Sequence, residues 1–174
     1  MYSVNGDVLQ PMLSFANPVD VSLEHPVGFD LDDATILQMA RSWPRLASLF
    51  LEARPLHHIH PRVTLEGVYF LAENCHSLRR LGMTVDVTSV PNIRLDKERR
   101  RAAQKRLFTF DVSLSPVTNP GRVAVFLAAI FPELRRIMTF YDNRLYLDDD
   151  EHEIGRADVL ELHSRWKAVE DVLR

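Results

Sequence analysis

The sequence is poor in the residues and motifs on which several specialised functions depend. Its 174 residues include one cysteine, Cys75, which excludes an intramolecular disulfide framework and a zinc site built from several thiolates. Only six glycines are present, and none belongs to a Gly-x-Gly-x-x-Gly, Gly-Lys-Ser/Thr or Gly-x-Ser-x-Gly motif. A secretory signal pattern is absent, as is an apolar run of the roughly 18 residues that a transmembrane helix needs. These absences predict a cytoplasmic or nuclear protein with no membrane span and no cofactor.

The remaining composition is that of an ordinary folded domain. Apolar residues make up 46% of the chain, charged residues make up 26%, and the formal net charge is −3. A chain of this length builds one core, and its slightly acidic balance creates no general field for polyanions. We therefore expect a single domain over residues 1–174, with no nucleic-acid or membrane partner.

An internal repeat organises the chain. Segments 36–51, 68–83 and 124–139 align without gaps. Their shared apolar columns are Ile36/Val68/Ala124, Met39/Leu71/Leu127, Ala40/Ala72/Ala128, Trp43/Cys75/Phe131, Leu46/Leu78/Leu134 and Leu49/Leu81/Ile137. The first four columns follow the i, i+3, i+4, i+7 spacing of an amphipathic helix, and the positions after them alternate like a strand. Each segment therefore predicts a helix followed by a strand.

The same template predicts the order of the strands and a part of the core. Two further matches, at 16–21 and 107–112, extend the pattern to five units spaced by about 30 residues. Parallel strands are expected near Ser48–Leu51, Arg80–Met83, Thr109–Val112 and Arg136–Thr139, adjacent in sequence order. Six helix residues are expected to be buried against the sheet: Met39, Ala40, Leu71, Ala72, Leu127 and Ala128.

The predicted fold class is α/β: a leucine-rich-repeat-like solenoid arc with parallel strands on the concave side and helices on the convex side. Residues 1–15 form an irregular lead-in, and a C-terminal helix over about 158–174 caps the stack. In that helix Val159, Leu162, Trp166, Val169 and Leu173 make an apolar stripe, and Glu161, Arg165, Glu170 and Arg174 are expected on the polar side as i, i+4 pairs. The alternative is an ordinary open α/β sheet carrying a small enzyme or ligand-binding domain. Strand order separates the two, because a doubly wound sheet reverses direction at a switch point.

At these residues the sequence resembles the leucine-rich-repeat region of F-box-type proteins, particularly the divergent fungal group. The likeness covers about residues 16–174 and is carried by segments 33–49 and 63–81 and by the terminal helix at 166–173. It implies a non-enzymatic protein-interaction module that recruits a partner or substrate to a ubiquitin ligase. In that family an N-terminal F-box binds a Skp1-type adaptor. Residues 1–15 are too short to hold one, so the adaptor is expected as a partner only if a missing N-terminal F-box exists.

The concave face is the predicted binding site for a protein partner. The leucines of each strand face the helices, so the residues between them must face the other side of the sheet. This alternation assigns Ser48, Phe50, Glu52, Arg80, Thr84, Asp111, Arg136, Met138 and Phe140 to the partner-binding face. Phe, Met and Arg are residue types enriched at the centres of interfaces.

Other chemistry-bearing residues predict no catalytic or metal site. His57, His58 and His60 form a His-rich loop, but the ligand set of a closed metal site is missing. Cys75 shares its column with Trp43 and Phe131 and is expected to be a small buried apolar residue. The acidic run 148–153 lacks the ligand pattern of an EF-hand, and the basic segment Lys97–Arg106 is expected to be an exposed helix face.

Overall fold

The computed structural model describes residues 3–53, 60–92, 104–142 and 156–174. Its strands are β1 (Val4–Asn5), β2 (Asp20–His25), β3 (Phe29–Asp30), β4 (Ser48–Ala53), β5 (Arg80–Met83), β6 (Thr109–Ser113) and β7 (Arg136–Thr139). Its α-helices are α1 (Gly6–Leu9), α2 (Asp33–Ser42), α3 (Leu65–Asn74), α4 (Pro120–Ile130) and α5 (Arg156–Leu173), and a 3-10 helix covers Gln10–Ser14.

Each of the three repeat helices begins at a side-chain N-cap. The side chain of Asp32 accepts the Thr35 N–H at 2.9 Å at the start of α2. Thr64 accepts the Glu66 N–H at the start of α3, and Asn119 accepts the Arg122 N–H at the start of α4. Side-chain oxygens at these positions satisfy backbone donors that have no partner within the helix.

The main sheet has five parallel strands in the order β2-β4-β5-β6-β7, and β1 and β3 form a separate parallel pair. Sequential order and parallel pairing confirm the strand prediction for the four repeat strands. Because crossovers between parallel strands are right-handed, an order without reversal places the connecting helices on one face of the sheet. The fold is therefore α/β, with a mainly parallel sheet covered by helices.

The core lies between this sheet and the helices. The first-column residues Ile36, Val68 and Ala124 and the strand residues Leu49, Leu81 and Ile137 are fully buried, which confirms that the repeat columns mark the core. Ala128 is the exception, because it is exposed. The buried residues of α4 are Val123, Ala124, Phe126, Leu127 and Ile130. Burial of Phe126 and Ile130 turns the buried face of α4 away from position 128, so the prediction that Ala128 is buried was wrong.

The C-terminal helix packs on α4 and on β7, as expected for an element that covers the end of the sheet. Trp166, Val169 and Leu173 of its apolar stripe are buried. The expected i, i+4 pairs Glu161–Arg165 and Glu170–Arg174 are both formed. Glu170, however, is only 4% exposed, so its placement on the polar side was wrong. Its carboxylate is drawn inward because it accepts the backbone N–H of Ile137 at 3.0 Å.

Neighbouring repeat units are also tied together outside the sheet. Asp33, in the first turn of α2, accepts the backbone N–H groups of Thr64 at 2.7 Å and Gly67 at 3.0 Å at the start of α3. Parallel bridges join Asp32 to Arg62 and Thr64 to Asp86 in successive loops. Helices α2 and α3 and the loops at their starts thus contact each other in the same order as the strands that follow them.

Candidate functional site

The candidate site is the sheet face that the helices leave open, which we call the open face. Strand register places its side chains in two lateral rows. The first row contains Asp20, Ser48, Arg80, Thr109 and Arg136, and the second contains Ser22, Phe50, Gly82, Asp111 and Met138. Neighbouring strands lie about 4.8 Å apart, so side chains in a row are direct neighbours.

The ring of Phe50 lies over Gly82 at the centre of the second row. A Cβ atom added to Gly82 would be 2.2 Å from Cδ1 of Phe50, which is well inside van der Waals contact. The guanidinium carbon of Arg80 is 6.0 Å from the centroid of the same ring, at the limit of a cation–π contact. Glycine at position 82 therefore creates the space in which Phe50 rests, half-buried, on the sheet.

The first row is accessible at its charged side chains, Asp20, Arg80 and Arg136, and closed at Ser48 and Thr109. Arg80 and Arg136 are exposed, and Arg80 lies 3.9 Å from the carboxylate of Asp20. Ser48 and Thr109 are 5% and 8% exposed. The short side chain of Ser48 lies below its longer neighbours, so it offers little surface to a partner although the alternation places it on the open face.

Carboxylates gather at the carboxyl end of the open face. Glu24 and Glu52 are register partners on β2 and β4, and Asp111 is near enough to act on Glu52. Burial raises the pKa of Glu52, and the negative charges of Asp111 and Glu24 raise it further. Thr84, which follows β5, is half-buried.

An irregularity in β6 interrupts the alternation near the end of the sheet. Asp111 pairs with Met138, but Ser113 pairs with Thr139 because the register shifts between Asp111 and Ser113. Ser113 has a φ of 49°, in the left-handed region that non-glycine residues seldom adopt. Phe140 lies beyond β7, half-buried, with its backbone N–H bonded to the Ser113 carbonyl. The shift therefore leaves Ser113 opposite Thr139 and not opposite Phe140.

Several predicted features fall partly or wholly outside the described residues. His57, His58, the acidic run 148–153 and positions 97–103 of the basic segment are among them, whereas His60 is described and exposed. Within the described ranges, no three His, Cys, Asp or Glu side chains are grouped so that they could hold a metal ion. Cys75 is fully buried, as expected, and burial raises the pKa of its thiol to about 12.

A groove that the alternation argument missed lies at the amino-terminal edge of the sheet. It has a volume of about 610 Å³, and its lining includes Arg45, Arg79, Arg80 and Arg106. The repeat alignment contains a signal for it, because Arg45 and Arg106 each come directly before a core leucine. The alternation used to find the open face starts within the strands, three residues after each of these arginines, and therefore does not reach them.

The chain was compared with protein-family models and with curated proteins, and nothing in either set matches it. In the part of the chain that the structure describes, no helix combines the length and apolar character needed to cross a bilayer.

Proposed function

We propose that the chain is a non-enzymatic protein-interaction module, the partner-recruiting repeat region of an F-box-like ubiquitin-ligase component, built as a short leucine-rich-repeat arc. The observation that carries this proposal is the strand order: five parallel strands lie side by side in the order of the sequence. Repeat proteins stack each unit only on its neighbours, and their exposed strand faces serve as extended binding surfaces.

Contacts between successive units support the same interpretation. The Asp33 bonds to Thr64 and Gly67 tie one helix start to the next, and the parallel bridge between Val87 and Val117 continues the loop stacking. The competing interpretation, a small enzyme on a doubly wound sheet, needs a reversal of strand order to open its crevice. The order β2-β4-β5-β6-β7 contains no such reversal.

The open face has the composition of a protein-binding surface. Phe50 and Met138 lie half-buried in the second row, and Arg80 and Arg136 stand exposed in the first. Residues of these types anchor many interfaces, and most of the affinity usually comes from a few of them.

The experiment is to identify a bound protein by cross-linking and then to measure its affinity for single alanine variants at Phe50, Arg80, Arg136 and Met138. At least one variant should lose about tenfold or more in affinity while its unfolding midpoint stays near that of the parent. Val125→Ala is the matched control, because Val125 is 68% exposed on α4. If all four variants bind like the parent, the open face does not carry the interaction.

A further inference from the structure

The groove at the amino-terminal edge of the sheet, which we call the arginine groove, is defined by Arg45, Arg79, Arg80 and Arg106 together with Val19 and Phe108. These residues come from the segments that lead into β2, β4, β5 and β6, or from the start of β5. The groove therefore runs across the amino-terminal ends of four successive strands. It shares Ser48, Arg80 and Asp20 with the first row of the open face and otherwise lies outside it.

Positive charge in the groove contrasts with the rest of the chain. Among the described residues, four arginines line it against one aspartate, Asp20, although the chain as a whole carries a formal charge of −3. Arg80 is 3.9 Å from Asp20. Within the described ranges, Arg45, Arg79 and Arg106 are exposed and their guanidinium groups have no hydrogen bond or ion pair. Clustered cations repel one another, and an anionic ligand would relieve that repulsion.

The groove also offers apolar surface beside the arginines. Val19 is 47% exposed and Phe108 is 48% exposed. The backbone at this edge is already paired: the Ala47 N–H donates to the Val19 carbonyl at 2.7 Å, and the Phe108 N–H donates to the Arg79 carbonyl at 3.2 Å. A ligand would therefore be held by side chains and not by pairing with these backbone groups.

The span of the groove sets the size of the ligand. Four neighbouring strands cover three spacings, about 14 Å in total. An extended peptide rises about 3.3 Å per residue, so about four residues fit across it. Guanidinium groups bind carboxylates in a planar, bidentate geometry, which favours carboxylates over uncharged ligand groups.

From these observations we infer that the arginine groove binds an extended acidic segment of a protein partner. The carboxylates of that segment contact Arg45, Arg79 and Arg106, and an apolar side chain packs beside Val19 and Phe108. The inference rests on the proposed role as a protein-interaction module and names the chemistry of the partner. A single-stranded nucleic acid fits less well, because its bases require a series of stacking aromatics, and Phe108 is the one aromatic among the described lining residues.

The test uses the full chain and a fluorescein-labelled peptide, Gly-Glu-Glu-Leu-Glu-Glu-Gly, followed by fluorescence anisotropy. The parent chain should bind this peptide, and affinity should fall as salt is raised, because the contacts are ionic. A peptide with glutamine in place of every glutamate should bind at least tenfold more weakly. Arg79→Gln and Arg106→Gln together should also cost tenfold or more. The matched control is Arg122→Gln, an exposed arginine on α4 outside the groove, which should stay within twofold.

Three results would overturn the inference. They are equal binding of the glutamate and glutamine peptides, parent-like binding by the Arg79/Arg106 double variant, and tighter binding of inorganic phosphate or an oligothymidine strand than of the acidic peptide. Thermal unfolding of each variant shows that the comparison is made on folded protein.

Met138→Ala separates this inference from the proposed function. Met138 lies on the open face and does not line the groove, so the variant should bind the acidic peptide like the parent. Loss of peptide binding in this variant would contradict the assignment to the groove. If the peptide fails to bind while a cross-linked partner depends on Met138, the groove is wrong and the interaction module stands. If the peptide binds and no partner depends on the open face, the open-face assignment fails instead.

Discussion

The carboxylate of Glu170 accepts the backbone N–H of Ile137 at 3.0 Å, and this bond helps to close one edge of the sheet. β7 is the last strand of the five, so none of the described strands pairs with its outer side. The Lys167 ammonium donates to the Ile137 carbonyl at 3.0 Å, and Asp142 accepts the Thr139 N–H at 2.9 Å. An open strand edge is a template for pairing with other chains, and these side chains satisfy the groups that such pairing would use.

Replacing Glu170 should destabilise the protein much more than replacing an exposed glutamate of the same helix. In Glu170→Ala the Ile137 N–H and the Lys167 ammonium lose a buried acceptor, which should cost about 1–3 kcal/mol in the free energy of unfolding. Glu161→Ala breaks an exposed i, i+4 pair with Arg165 and should cost at most about 0.5 kcal/mol. Urea unfolding of both variants measures the difference. Equal losses would show that the Ile137 bond contributes nothing.

Stability should fall on acidification because two carboxyl groups titrate at lower pH in the folded state than in the unfolded chain. Burial alone would raise the pKa of Asp142, but hydrogen bonds from the Thr139 N–H and Lys167 hold that pKa below its usual value. Burial alone would likewise raise the pKa of Glu170, but the hydrogen bond from the Ile137 N–H and the charge of Lys167 hold that pKa below its usual value. Such groups stabilise the fold above their unfolded pKa values, and the stabilisation is lost as the pH falls through the folded ones. The free energy of unfolding should therefore decline from about pH 5 downward.

The pH dependence can be assigned by substitution. Asp142→Asn removes one of the two groups, so its unfolding free energy should depend less steeply on pH below about pH 5. The matched control Asp171→Asn removes an exposed aspartate of α5 and should keep the parent slope. Glu52 has the opposite effect on stability at low pH. Its pKa is raised in the folded protein, so its protonation stabilises the fold. A parent slope in Asp142→Asn would rule out Asp142 as a source of the acid sensitivity.

Trp166 should be the most costly single truncation in α5. Its side chain is fully buried, and its Nε1 donates to the Ser115 carbonyl at 2.8 Å. Trp166→Ala should lower the free energy of unfolding by about 3–5 kcal/mol, since it leaves a cavity and an unpaired carbonyl. Val172→Ala, at a position 60% exposed on the same helix, should change it by less than about 0.5 kcal/mol. A small effect at Trp166 would mean that the helix does not cover the core in solution.

The thiol of Cys75 should be inert in the folded protein. It is fully buried, its Sγ lies 3.6 Å from the Trp43 carbonyl, and burial raises its pKa to about 12. Reaction with a chromogenic disulfide reagent should be slower in the native protein than in denaturant by about a hundredfold or more, because the thiolate is the reactive form. Cys75→Ala gives the background, as the chain has no other cysteine. A fast native reaction would place Cys75 at the surface.

The sequence by itself determined the repeat, the kinds of element and their order. Helix caps such as Thr64 and core columns such as Leu49/Leu81/Ile137 are local signals, because side-chain period and capping chemistry depend on residues within a few positions. For the same reason α2, α3, α4 and the strands after them lie where the pattern predicts. Ala128 departs from the pattern because the direction of a helix face depends on what packs around it.

Only the tertiary structure decided which residues of the open face and its edges are available. Ser48 and Arg80 occupy equivalent repeat positions, yet one is buried and the other exposed, since side-chain length and lateral neighbours determine access. The contact of Phe50 with Gly82 and the grouping of Arg45, Arg79 and Arg106 join residues from different repeat units. Strand register brings such residues together across about 30 positions of sequence, and no local period encodes which side chains will then share a surface.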